Sequence, residues 1–246
     1  MRIKGVEIEN FRLLRDVALG LEDRTTLIVG RNNSGKTSIA ELFRRLLGEK
    51  SPSFKMEDFS LGCHECFWTA FEAFQAGASA PDVVALLPSI EVTVDITYDV
   101  NAPDLGPLSD CIVDLDPNCS DARLILTYGP RPTAPATLFA DLAVGEDVAV
   151  NRLTLFRALG SRVPSVYAAS LEAVDPNDLT NRKSLEPKTL TALVRGGFIN
   201  AQRGLDDDTH RERDVLGKVV EVLFQSALTD SVDPEKRTTA EQLKAA

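Results

Sequence analysis

Between residues 30 and 38 the chain reads GRNNSGKTS, and Gly30, Gly35, Lys36 and Thr37 fall at the spacing G-x-x-x-x-G-K-[ST] without substitution. Each residue type has a chemical reason to be there. Glycines let a backbone bend tightly enough for its N–H groups to converge, and a helix starting just after them adds the partial positive charge of its N-terminus. A lysine brings a fixed ammonium, and a threonine offers a hydroxyl oxygen to a metal cation. Together they make a cradle for a nucleotide's phosphates: amides around the β-phosphate, Lys36 bridging β- and γ-oxygens, Thr37 on Mg²⁺. The candidate binding residues are Gly30, Arg31, Asn32, Asn33, Ser34, Gly35, Lys36, Thr37 and Ser38, with Thr37 as metal ligand and Lys36 as the candidate catalytic group.

Such a loop needs a strand before it and a helix after it. Residues 25 to 29, TTLIV, are apolar in their second half and predict a central strand covered on both faces. Behind the loop, Ile39, Leu42, Phe43, Leu46 and Leu47 recur at three and four residues, the stripe of an amphipathic helix ending at Gly48. Two alternating stretches come first, 2 to 8 and 17 to 21, and read as half-buried strands. Further on, an aromatic helix is expected near 64 to 76. The run SIEVTVDITYDV alternates strictly, with Ile90, Val92, Val94, Ile96 and Tyr98 on one side, which indicates an antiparallel sheet with one wet face. ARLILTYG, 122 to 129, is its expected partner. Prolines at 130, 132, 135, 164 and 176 predict short pieces from 129 to 182. A helix end, a Gly-Gly break and a short strand follow up to Ala201. A last helix starts at a capping box, Thr209 with Glu212, and carries Leu216, Val219, Val220, Leu223 and Phe224.

The 246 residues carry a formal charge of −10, unevenly spread: 11 basic and 9 acidic groups over 1 to 60, 5 and 17 over 61 to 180, and 11 of each beyond. The acidic middle would repel a nucleic-acid backbone, so DNA, if bound, must meet another face. No apolar run has the length of a membrane span, and MRIKGVEIEN lacks the core of a signal peptide, which leads to an expectation of a cytoplasmic protein without membrane contact. Four cysteines, Cys63, Cys66, Cys111 and Cys119, are too few for a disulfide framework. CHEC has the spacing of half a zinc site but no matching second pair, and is read as a pair of plain thiols.

The first 47 residues as a whole, two strands, then ENFR, then GRNNSGKTS, resemble the N-terminus of the RecF/SMC branch of ABC-type ATPases, and most closely the ATPase domains of the overcoming-lysogenization-defect (OLD) nucleases and related phage-defence ATPases. A weaker echo is FINAQRGLDD at 198 to 207. The resemblance implies an α/β fold, a P-loop NTPase of the ABC-type head, N-terminal lobe, with an antiparallel β subdomain and flanking helices. Its parts would be 1 to 50 (strand pair, P-loop, first helix), 51 to 182 (antiparallel subdomain and insertions), 183 to 230 (Q-loop-like strand and helix) and 231 to 246 (a tail). ATP with Mg²⁺ is the implied ligand pair. Arg12, of the family's aromatic-Arg pair, would lie near the phosphates, and Gln202 would be the Q-loop contact to Mg²⁺ and water.

In that family hydrolysis also needs a Walker B strand with Asp and Glu, and a signature sequence from a second protomer. No signature-like Ser-Gly-Gly occurs, and CIVDLDP, with Asp114 and Asp116, lacks the neighbouring Glu and reads as a strand end or turn. The expectation is therefore an ATP-binding lobe incomplete for hydrolysis by itself, partnered by a C-terminal ATPase lobe or nuclease domain. In the full protein it would form a homodimer that uses ATP to control a DNA-directed nuclease or defence effector. An SMC-type DNA-clamping ATPase is the alternative, and a small-molecule kinase a more distant one, because kinases begin almost directly with the P-loop strand.

Overall fold

Strict alternation from Ile90 to Thr97 does what it must: every second side chain enters a core, and the strand pairs on both edges. The computed structural model describes residues 1–48, 52–114, 116, 119–142, 147–194 and 196–198. By its contacts the chain divides between Gly197 and Phe198, and the unit Met1–Gly197 is the one described below. Its strands are β1 (Arg2–Phe11), β2 (Leu14–Gly20), β3 (Ile90–Thr97), β4 (Asp121–Pro130), β5 (Tyr167–Val174) and β6 (Arg182–Leu185). They form one sheet in the order β2-β1-β3-β4-β5-β6, with every neighbouring pair antiparallel.

The registers align side chains into rows. Val17, Ile8, Val92, Leu126, Leu171 and Leu185 run opposite one another across all six strands, and Leu19, Val6, Val94, Leu124 and Ala173 form the next row. These rows are the sheet's contribution to the core. On the reverse face the rows are polar and acidic: Asp16, Glu9, Glu91 and Thr127 in one, Glu7, Thr93, Ile125 and Glu172 in the next. Burial first, then Glu9 opposite it, pushes the Glu91 carboxyl above its ordinary range.

Six helices complete the unit: α1 (Lys36–Gly48), α2 (Leu61–Gln75), α3 (Ala80–Leu86), α4 (Ala134–Leu138), α5 (Val148–Val166) and α6 (Lys188–Leu193). Ile39, Leu42 and Leu46 of α1, Phe67, Trp68 and Phe71 of α2, and Leu155, Leu159 and Val163 of α5 join the apolar face of the sheet in one core. At its centre aromatic rings meet edge to face: Phe59 lies 5.4 Å from Phe67 and 5.6 Å from Tyr167. The buried tyrosine hydroxyls are satisfied, Tyr128 donating to the Phe54 carbonyl at 3.0 Å and Tyr167 to that of Pro88 at 3.1 Å.

Two sequence expectations change. Residues 25 to 29 form no strand: among the described residues nothing pairs with them, and Leu27 and Val29 are 81% and 78% exposed. An apolar run marks a residue set able to be covered, but the ladder that covers it is a long-range matter. The region 129 to 182 is not broken into short pieces, since α5 runs 19 residues straight through Pro164. Pro164 forfeits one helical hydrogen bond, which the burial of Leu155, Leu159 and Val163 of the same helix offsets, and Asp147 caps the start by accepting from the amides of Ala149 and Val150 at 2.8 and 3.3 Å. The helix α3 is started by Ser79, whose hydroxyl accepts from the Asp82 amide. The expected strand ending at Ala201 lies, past Phe198, outside the described residues, as do the helix from Thr209 to Phe224 and Gln202.

If the ring cluster anchors the core, Phe67→Ala costs about 3–5 kcal/mol of unfolding free energy. Urea denaturation checks this: a lower midpoint at unchanged slope is expected, and a loss below about 1 kcal/mol contradicts the packing.

Candidate phosphate-binding site

The cradle stands between a hairpin and a helix. Strands β1 and β2 are closed by the pair Phe11 and Leu14, leaving Arg12 and Leu13 as a two-residue connection. Two residues here adopt left-handed backbone, Asn10 at φ 62° and Arg12 at φ 49°, which is uncommon without glycine. The turn packs directly beneath the phosphate loop. A Cβ added to Gly35, itself at φ 88°, would lie 2.9 Å from Leu14 Cδ2. At the loop's other end a Cβ on Gly30 would lie 2.6 Å from Ser34 Oγ. Gly35 is thus required by its backbone conformation and by the buried Leu14 beside it, whereas at Gly30 the exposed Ser34 hydroxyl could turn aside.

Within the loop Asn33 also turns left-handed, at φ 64°. Helix α1 then begins at Lys36, and the Ile39 amide donates to the Gly35 carbonyl at 3.0 Å. The amides of the first turn have no acceptor within the helix and carry its positive end. Leu13 and residues 32 to 38 line a cleft of about 370 Å³. Lys36 Nζ donates to the carbonyls of Gly30 at 2.7 Å and Arg31 at 2.6 Å, and lies 3.3 Å from Ser34 Oγ. The ammonium therefore closes the loop into a ring while the cleft beside it stays open.

The residues present fit a nucleotide triphosphate. The donor set is amides, hydroxyls and one ammonium, and among the described residues no carboxylate lines the cleft. Lys36 and the amides at the start of α1 would hold the phosphates, and Thr37, also in the lining, would offer its hydroxyl to Mg²⁺. The cation, when bound, supplies charge neutralisation between the phosphates. What the chain contributes is a turn fixed from below by Leu14 and a lysine already gathered at the loop.

Arg12 is not in the lining. Its Nε and Nη2 donate to Asp58 Oδ1 at 2.9 and 2.7 Å, and its own amide donates to the Asp58 carbonyl at 2.8 Å. The other carboxylate oxygen, Oδ2, accepts from Arg45 Nη1 of α1 at 2.6 Å and from the Lys55 amide at 2.9 Å. Arg45 is steadied in turn by Glu41, one turn earlier, at 3.0 Å. Both guanidiniums lie over aromatic rings, Arg12 5.3 Å from Phe11 and Arg45 5.5 Å from Phe54, and those rings meet edge to face at 5.5 Å. The Asp58 side chain is 4% exposed. Burial alone would raise its pKa, but the Lys55 amide and the two guanidiniums outweigh it and hold the carboxyl below the usual range.

Asp58, Arg45, Leu13 and Leu14 were not singled out by motif. The available signal is local: MEDF sets an acid between Met56 and Phe59, both core residues, and an acid in such a place needs a partner. Of the other candidates, Asp114 Oδ1 accepts from the Asp116 amide at 2.7 Å, after the 3₁₀ helix Gly106–Cys111, and neither acid lies in a strand. Cys63 is buried on α2 and Cys66 exposed. Burial, then the nearby Cys66, raises the Cys63 thiol to about 11, so it stays protonated.

A carboxyl with a depressed folded pKa contributes stability that is present above its unfolded value, here the ordinary 3.8, and is lost as the pH falls through the folded value. Asp58→Asn should therefore cost about 1.5–3 kcal/mol at pH 7, with the gap to the native chain narrowing below pH 3.8. Urea midpoints for both chains at pH 7 and pH 3 measure it, and a gap that is equal at both contradicts the ion pairing.

No curated protein matches this chain. Residues 1–152, which hold the hairpin, the cradle, α1, Asp58 and the first four strands, match the AAA ATPase domain family. The match covers more than half of the sequence, and the chain belongs to the AAA ATPase domain family.

Proposed function

We propose that this chain binds Mg-ATP in the cradle of residues 30 to 38 and serves as the nucleotide-binding lobe of an ATPase of the OLD/RecF type. The observation that carries the reading is the loop itself, left-handed at Asn33 and Gly35, seated on Leu14 and opening onto the first turn of α1. The preceding hairpin and the ENFR turn support the OLD/RecF branch over a metabolite kinase. In this reading the cradle and α1 belong to a P-loop NTPase fold of the ABC-head kind, and the antiparallel sheet is the subdomain that such heads carry beside it.

Hydrolysis in this account needs acidic and signature groups from another lobe, because CIVDLDP lacks a Glu beside its acids and neither Asp114 nor Asp116 lies in a strand. ATP-driven pairing of two such heads would then control a DNA-directed nuclease or defence effector. The acidic reverse face of the sheet, with Glu7, Glu9, Asp16, Glu91 and Glu172, repels a phosphate backbone and is not the surface DNA would use.

Mg-ATP is expected to raise the Tm of the native chain, and Lys36→Ala to abolish that rise, since ligand that binds only the folded state stabilises it by mass action. Thermal shift with saturating Mg-ATP is the check. Equal shifts in the two proteins remove the basis for the proposal.

A further inference from the structure

We propose that Asp58 is a positioning residue of the phosphate cradle: one buried carboxylate holds the Arg12–Leu14 turn under Gly35 and, through Arg45, holds the helix on which the cradle opens. This rests on the reading of residues 30 to 38 as a triphosphate site, and adds a residue that touches no ligand.

Four observations converge on Asp58. It grips the hairpin turn twice, by its carbonyl on the Arg12 amide and by Oδ1 on the Arg12 guanidinium. The chain on either side is fastened to the same hairpin, Ser60 donating its amide to the Asn10 carbonyl at 2.9 Å and Phe59 bridging to Phe11. The two left-handed residues of β1 and its turn, Asn10 and Arg12, are the two that this segment holds, and uncommon backbone persists only where surrounding structure over-determines it. The second oxygen reaches Arg45, nine residues and two and a half turns beyond Lys36 on the same helix.

The consequence is mechanical. Leu14 lies where any Cβ at Gly35 would collide, so the position of the turn fixes how far the loop can settle. Helix α1 carries Lys36, Thr37 and Ser38 at one end and Arg45 near the other. A rigid helix clamped at Arg45, and a turn clamped at Arg12, leave the loop between them with both of its supports set by one acidic side chain. Neutralising Asp58 removes the charge that two guanidiniums share, and an Asn in its place offers one acceptor oxygen for both.

The test uses the full chain with Asp58→Asn and, as a core control whose ring contacts are Phe71 and Phe74 and not the clamp, Phe139→Leu. Two readouts are taken well below the Tm of each protein: the Kd for a fluorescent ATP analogue with Mg²⁺, and hydrogen exchange across residues 30 to 38 without nucleotide. Asp58→Asn is expected to weaken binding by about ten- to a hundredfold, the scale on which supporting residues act around a bound group, and to speed exchange in the loop. Phe139→Leu should lower the Tm while leaving both readouts near the native values. Native binding in Asp58→Asn with native exchange overturns the proposal. Tighter binding also overturns it, since Arg12, once freed, would then be a phosphate contact and not a strut. Should Asp58→Asn fail to fold, Arg12→Gln cuts the hairpin arm alone and is expected to move both readouts in the same directions; weakened binding with unchanged exchange would again overturn the positioning role. If the native chain binds no nucleotide, the triphosphate reading falls by itself, and the exchange comparison still decides whether Asp58 holds the loop.

Discussion

A phosphate cradle can be built only where the backbone comes close to what supports it, and at Gly35 it comes within van der Waals reach of Leu14, a residue of a different element. That contact is the constraint from which the rest of the site follows. It requires a residue without a side chain, in left-handed conformation, at the point where the loop becomes α1. It requires the hairpin to present an apolar surface at its closed end, and the hairpin end must stay in place. Asp58 meets the last requirement by holding Arg12, and it holds the helix through Arg45 with the same carboxylate.

The larger architecture can be understood as support for that junction. Strand β1, which ends in the turn, lies between β2 and β3 and contributes Val6, Ile8 and Phe11 to the core. Helix α1 adds Ile39, Leu42 and Leu46 to the same core. Phe54 and Phe59, from the segment that carries Asp58, pack into the aromatic cluster with Tyr128 and Tyr167. Three separate stretches of chain therefore converge on one apolar mass, and each also contributes one charged member of the clamp. Water is excluded from the carboxylate by the packing, which strengthens the ion pairs and makes their loss costly.

How much of this could be read from the sequence depended on the range of the interaction. The glycines, lysine and threonine of the loop are local, and their spacing alone indicates phosphate chemistry. The alternation of β3 and the stripe of α1 are local as well, and both elements form where the periodicity puts them. Residues 25 to 29 mislead because an apolar run has the composition of a covered strand but does not contain its covering. The proline in α5 misleads because the one hydrogen bond it forfeits is set against the burial of Leu155, Leu159 and Val163, which is a matter of long-range packing. For Asp58 the local setting shows that a partner is needed but not which one: its partners are 46 and 13 residues away, and no short pattern connects them.

The central claim is that the loop from Gly30 to Ser38 recognises phosphates and not merely an anion or a base. Isothermal titration of the native chain with Mg-ATP, and separately with AMP, tests it most directly. A single site that takes the triphosphate and binds AMP far more weakly is the predicted result, because Lys36 and the amides of α1 act on the β- and γ-phosphates that AMP lacks. Equal affinity for the two nucleotides, or no binding of either, would contradict it.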